Sequence, residues 1–267
     1  YVFQFQDNAY GGLEHPNSVS LGAPSAELAR NPNAVLQEAA HEFFHTWNLL
    51  RIRPAEYVGV DYRHIKPVPT LWFSEGLTIF YADQLLRRAK LPTSDSTRTS
   101  HLESVIARYL ANPATSRFSA ELVARVAYNA PPDALGDYSL STHLQSEALG
   151  TMLDLVIRDA TNGRRSMDDV MRLMLERFGG ERGFVTADIE RAVDDVCSCS
   201  VKAFFDAHVR AASAIPFDRY LALIGLRAIV SWQPVLQDGR PVADRRLNAW
   251  NPPDSTLSLL IGNPQTV

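Results

Sequence analysis

Apolar residues recur along this chain with two spacings. YVFQFQ, residues 1–6, alternates apolar and polar positions, which predicts a strand. AYGGLEHPNS, residues 9–18, is rich in Gly, Asn and Pro and reads as a loop. VSLGA, residues 19–23, reads as a second short strand. Asn31-Pro32 then opens a helix, with Asn as N-cap and Pro at the first helical position. Val35, Leu36, Ala39, Ala40, Phe43, Phe44, Trp47 and Leu50 fall on one helical stripe, which must end before Pro54. TLWFSEGLTIFYADQLLRRAK, residues 70–90, predicts a second helix, introduced by Pro67 and Pro69 and stopped near Pro92. From about residue 95 to 213 the pattern is mainly helical. One of these helices is closed by Asn162-Gly163. Another starts at Ser166 as N-cap, carries acids in its first turn and ends in Gly-Gly. After Leu226 the chain reads as short strands, with Asp238-Gly239 as a hairpin turn. The predicted class is α+β, with a small N-terminal β part, a predominantly helical lobe and a short β-rich tail.

Charge and composition narrow the picture a little. The 267 residues carry a net charge of −4, which gives no basic bias toward nucleic acid or an anionic membrane. No apolar run is long enough to cross a bilayer as a helix. The chain starts at Tyr1, already in strand alternation, and is read as an excerpt of a longer protein whose compartment its N-terminus does not reveal. Its two cysteines, Cys197 and Cys199, are too close in sequence to be expected to bridge each other, and read as packing or surface thiols. Such low cysteine use fits the cytoplasm and does not exclude a bacterial periplasm.

The chemistry concentrates in AHEFFHTWNLLRIRP, residues 40–54. His41 and His45 are one helical turn apart and aim two imidazoles at one point. Glu42 is offset round the helix, where it reaches a water on a metal without ligating the metal. The alternative is a pair of helix histidines that make ordinary hydrogen bonds. A third ligand is available in Glu75, on the next predicted helix and thirty positions after His45 (75 − 45). Its neighbours Trp72, Phe73, Leu77 and Phe80 predict burial, and a buried carboxylate needs a partner. Two histidines and one glutamate leave a fourth position open, as in catalytic zinc sites.

HEFFHTWNLLRIRP, followed by LWFSEGLT and preceded by YGGLEHPNS, resembles the glycyl aminopeptidase family of gluzincin zinc metallopeptidases. The likeness extends through NGRRSMDDVMRLMLERFG, GFVTADIERAV and FFDAHV, so it runs from about residue 1 to 226. It implies that residues 1–226 are a thermolysin-like catalytic domain, lacking an upstream β domain. Residues 227–267 would then be a linker and the beginning of a PDZ-like module. It further implies Zn2+ on His41, His45 and Glu75, with Glu42 as general base. GGLEH, residues 11–15, is similar to the exopeptidase motif of related aminopeptidases, so Glu14 would hold the substrate's free α-amine. Gly11 and Gly12 would let the backbone pass close to the substrate. The strand before them could add to the peptide main chain. The implied substrate is a peptide with a free N-terminus and a small first residue, glycine or alanine.

The sequence departs from the resembled family at one place. STHLQSEALG, residues 141–150, stands where the family carries Ser-Tyr-Tyr-x-Lys-Gly-Glu, and puts His143 at the position of the tyrosine that donates to the oxyanion. His143 either takes over that donation or leaves the site weakened, with Tyr138 as a nearby substitute. Two further functions therefore stay open beside the aminopeptidase. One is a metalloendopeptidase in which Glu14 anchors nothing. The other is a catalytically weakened relative that binds peptides or acts as a scaffold. Arg51 and Arg53 follow the histidine helix and are expected to complement its C-terminus. Trp47 is expected in the core.

Overall fold

Helical stretches of the sequence fold where their period of 3.6 places them, and the exceptions lie at the N-terminal end. A computed structural model describes residues 1–5, 11–61, 63–64, 66–91, 95–126, 142–234, 236–237, 240–241 and 255–262. Strands β1 (Val2–Phe5), β2 (Gly11–His15) and β3 (Ser18–Ala23) form one sheet in the order β1-β3-β2. β1 runs parallel to β3 and β2 antiparallel to it. β2 corrects the expectation of a loop over residues 9–18: Gly11 to His15 pair with Gly22 to Ser18, and only Pro16 and Asn17 turn the chain. Local composition favoured a loop, and tertiary pairing with β3 overrode it.

Helix α1 (Ser25–Arg30), which the apolar pattern did not announce, leads into a 3-10 turn at Pro32–Val35 and then α2 (Leu36–Phe44). Asn31 caps the turn, its side chain accepting from the Asn33 backbone N–H at 3.1 Å. α2 stops at Phe44, well before the predicted limit, and Leu49 then takes a φ of 123°. Residues beyond it do not continue the stripe: Trp47 is 36% exposed, not core, and stacks edge-on against exposed Phe43 at 5.4 Å. The following segment is pinned to the far side of the lobe, where Phe184 N–H donates to Arg53 O and Ala55 N–H to Phe184 O, both at 2.9 Å.

Helices α3 (Leu71–Arg88), α4 (Asp95–Ala111), α5 (Ala120–Val126), α6 (Leu144–Ala160), α7 (Met167–Phe178) and α8 (Thr186–Cys197) build the lobe. Their buried faces share one core, with Trp72, Phe73, Leu77, Ile106, Leu149, Met152, Leu153, Phe184 and Phe205 almost fully covered. α3 and α6 lie unusually close. A Cβ on Gly76 would stand 2.1 Å from the Cβ of Ser146 and 2.5 Å from its carbonyl carbon. Ser166 caps α7 as expected, with Asp169 closing the capping box from Oδ2 to the Ser166 N–H at 3.0 Å. α8 ends in Ser198 at φ 52°, a left-handed residue that folds Cys199 back onto Cys197. Their Cα atoms come to 5.1 Å and the two sulfurs bond, which overturns the expectation of two separate thiols. After a short helix with a π turn (Lys202–Arg210) and one more at Phe217–Leu221, β4 (Arg227–Pro234) pairs antiparallel with β5 (Ser255–Gly262). Asp238-Gly239 and Tyr138 lie outside the described residues. Among the described residues no helix is long and apolar enough to cross a membrane.

Candidate active site

α2 and α3 pack side by side, and their meeting point holds the expected donors. His41 and His45 project from the last turn of α2 and Glu75 from the second turn of α3. The two Nε2 atoms lie 3.0 Å apart, and Glu75 Oε2 is 3.4 Å from each. Around a four-coordinate zinc with ligand bonds of about 2.0–2.1 Å, neighbouring donor atoms stand about 3.3–3.4 Å apart. Both edges to Glu75 have that spacing, and the edge between the two imidazoles is a little shorter. The residues present fit the group.

Early termination of α2 serves this arrangement. His45 is its C-cap, and the chain turns so that Asn48 O accepts from His45 Nδ1 at 2.8 Å. A proton fixed on Nδ1 leaves the Nε2 lone pair for a metal. The fully buried Asn48 side chain donates to Phe73 O at 3.1 Å, Ser74 O at 3.0 Å and Thr78 Oγ1 at 3.2 Å. One residue thus orients an imidazole through its backbone and ties α2 to the turn carrying Glu75 through its amide. The sequence offered only its place in HTWN as a signal. Arg51 and Arg53 bond the carbonyls of Thr46 and Leu50, at 2.5 and 2.8 Å, in the segment beyond α2 and not the carbonyls of its last turn.

The charges in the metal-free cluster are mutually arranged. Burial works against a charged Glu75, but hydrogen bonds from three imidazoles outweigh it and hold the carboxyl well below its usual range. Burial also opposes charge on His45, and Glu75 overcomes it, lifting that imidazole to about 9. For His41 burial prevails and its pKa is lowered.

Glu42 is buried beside the triangle, and burial, aided by Glu38, Glu14 and Glu75, raises its carboxyl to about 7. β2 passes directly over it. A Cβ on Gly12 would lie 2.3 Å from Glu42 Cγ and 2.5 Å from its Oε1. Gly12 thus makes room for Glu42. Gly11 has open space around it and is set apart by its φ of 127°. Glu14, three residues along the same strand, offers an oxygen within 4.8 Å of donor atoms of Glu42 and His45. In the sheet order β2 is the edge strand on this side, so a peptide adding to the sheet here would meet β2 and not β1. Glu38, one turn before Glu42, is a further acid near the site that the sequence did not single out.

His143 enters from the residue before α6. Its Nε2 is 3.0 Å from Glu75 Oε2, and its ring lies over that of His41 at 5.7 Å between centroids. Burial opposes its charge and Glu75 favours it, with the pKa raised in balance. The structure brings together every residue singled out for metal, base and substrate, apart from Gly11, whose surroundings are open.

Residues 34–134 match the family model of the M61 glycyl aminopeptidases, and this stretch carries His41, Glu42, His45 and Glu75. Among solved structures, an aminopeptidase N family protein from Idiomarina loihiensis has the same fold, with a TM-score of 0.76 at 19% identity. That likeness covers 86% of this chain and 41% of the other, so the chain spans about two fifths of its length. No curated protein matches. The family match agrees with the resemblance read from the sequence over residues 34–134, and the structural likeness shows the fold.

Proposed function

We propose that this chain, a relative of the M61 glycyl aminopeptidases over residues 34–134, is the catalytic part of a zinc-dependent aminopeptidase. Residues 1–226 make up the peptidase unit, and the strands from 227 onward are assigned to a linker and the start of a PDZ-like module. The observation that carries the reading is the triangle of His41, His45 and Glu75 donors with edges of 3.0, 3.4 and 3.4 Å. Zinc held there supplies Lewis-acid polarisation of the scissile carbonyl and makes a water acidic at neutral pH.

The protein groups carry the rest. Glu42 accepts a proton from the attacking water and passes it to the leaving amine nitrogen. Its carboxyl, raised to about 7, is poised for transfer in both directions. Glu14, whose carboxylate comes within 4.8 Å of donor atoms of Glu42 and His45, pairs with the substrate's α-ammonium. The free edge of β2 binds the peptide backbone. A small first residue, glycine or alanine, is the preference the family match supports. His143 supplies a donor for the carbonyl oxygen once it releases Glu75.

Substituting Glu42→Gln keeps the shape of the base and removes its proton affinity. Zinc content should stay unchanged while turnover of glycyl and alanyl substrates falls by roughly 10²–10⁴. Full activity in that variant overturns the assignment. N-terminally acetylated peptides separate the exopeptidase from an endopeptidase, which would cleave them as fast as free ones. A second reading draws on the contact of His143 with Glu75. If the imidazole stays there, His143 does not donate to the carbonyl oxygen, and the chain is a weakened relative that binds peptides. Absent turnover with zinc fully loaded supports that reading.

A further inference from the structure

We propose that His143 is a fourth, displaceable ligand of the metal. The proposal rests on the assignment of His41, His45 and Glu75 as the other three. The position of the imidazole carries it. His143 Nε2 stands 3.0 Å from Glu75 Oε2, the same oxygen that faces both imidazoles of α2. The donor atoms of His41, Glu75 and His143 all lie within 4.8 Å of one another. Donors around a tetrahedral zinc are about 3.3 Å apart, so the edge to Glu75 already has ligand spacing. The edge to His41 is within 4.8 Å, and a turn of the ring toward the ion would have to close it and the edge to His45.

The surroundings leave the side chain free to rotate and keep its backbone in place. Ser146, one turn on, is seated against Gly76 so closely that a methyl group there would overlap it. The first turn of α6 therefore cannot shift along α3, and His143 stays above Glu75. The side chain itself is 45% exposed and makes no capping bond to α6. Apart from Glu75, the hydrogen-bond partner described for the ring is Thr142 Oγ1, 3.3 Å from Nδ1. An imidazole is also the correct chemistry: neutral nitrogen is a standard zinc donor.

In the resting protein four side chains then close the ion off. A peptide carbonyl would reach the open position only when the outermost, most exposed of them, His143, swings away. The ring so released would keep its Nδ1–H as the hydrogen-bond donor for the carbonyl oxygen.

X-ray absorption on the zinc-loaded, substrate-free protein should count three imidazoles in the wild type and two in His143→Gln. Competition with a chromophoric chelator should show zinc bound at least about tenfold more weakly in both His143→Gln and His143→Ala. Circular dichroism of the metal-free variants checks that they fold. Two imidazoles and unchanged affinity throughout would overturn the proposal and leave the three-ligand site standing. Wild-type affinity in His143→Gln with weakening only in His143→Ala would overturn it too, because an amide N–H would then suffice to hold Glu75. If His41→Gln also leaves zinc affinity unchanged, the three-ligand assignment itself falls and the proposal with it.

Discussion

One absent methyl group decides where the base lies. Gly12 has an ordinary φ, so alanine is allowed there by the backbone, but its Cβ would occupy the place of Glu42 Cγ. The neighbour that must move is a side chain, so the fold should survive Gly12→Ala. The carboxylate would be pushed aside by about an ångström, and misplacement on that scale costs about 10² in rate. Turnover should fall by that order with melting temperature and zinc content nearly unchanged. At this scale the pairing of His41 with His45 was legible, because helical spacing converts directly into geometry. Asn48 was not. Its contribution to His45 runs through a backbone carbonyl, which every residue possesses and no sequence displays. The same holds for Gly12, whose requirement comes from a helix that is distant in the chain.

Packing between elements carries the next set of consequences. In Gly76→Ala the new Cβ would meet backbone atoms of Ser146 at 2.5 and 2.8 Å, which cannot swing away. α3 and α6 must separate, and a denaturation midpoint should register a loss of about 1–3 kcal/mol. α6 is tied to α4 by His101 Nε2 and Glu147 Oε1 at 2.6 Å. That hydrogen bond from His101 to Glu147, against the opposing effect of burial, raises the His101 pKa. A raised folded-state value means a stabilisation fully present below the ordinary pKa of about 6.5 and lost as pH climbs through the raised one. The wild type should therefore lose stability more steeply than His101→Asn as pH rises above about 6.5, as read from urea midpoints in a pH series. Long periodic helices such as α3, α6 and α7 were evident from the chain alone. β2 and the end of α2 were not. Partners from elsewhere decide both: β3 for the strand, and the contacts of Asn48 with α3 for the helix end.

For the molecule as a whole, the proposed divalent ion on His41, His45 and Glu75 would bind the folded chain and not the unfolded one. At a thousandfold excess of free zinc over its dissociation constant this adds about 4 kcal/mol. For a chain of this size that is roughly 10 °C in melting temperature, which chelation should remove and added zinc restore. The α+β architecture could be read from the sequence because the lobe is built of self-announcing helices. The close approach of α2 to α3 could not, since it depends on packing across the irregular segment between them. That segment carries a last consequence. His45 and Glu75 lie at its two ends, so an ion shared between them is a cross-link closing a loop of thirty positions (75 − 45). Within the loop Arg63 and Lys66 are exposed. Opening the link should loosen the loop before the lobe melts, and trypsin should nick the chelated protein first at Arg63, since Pro67 protects the bond after Lys66, while sparing the zinc-loaded form.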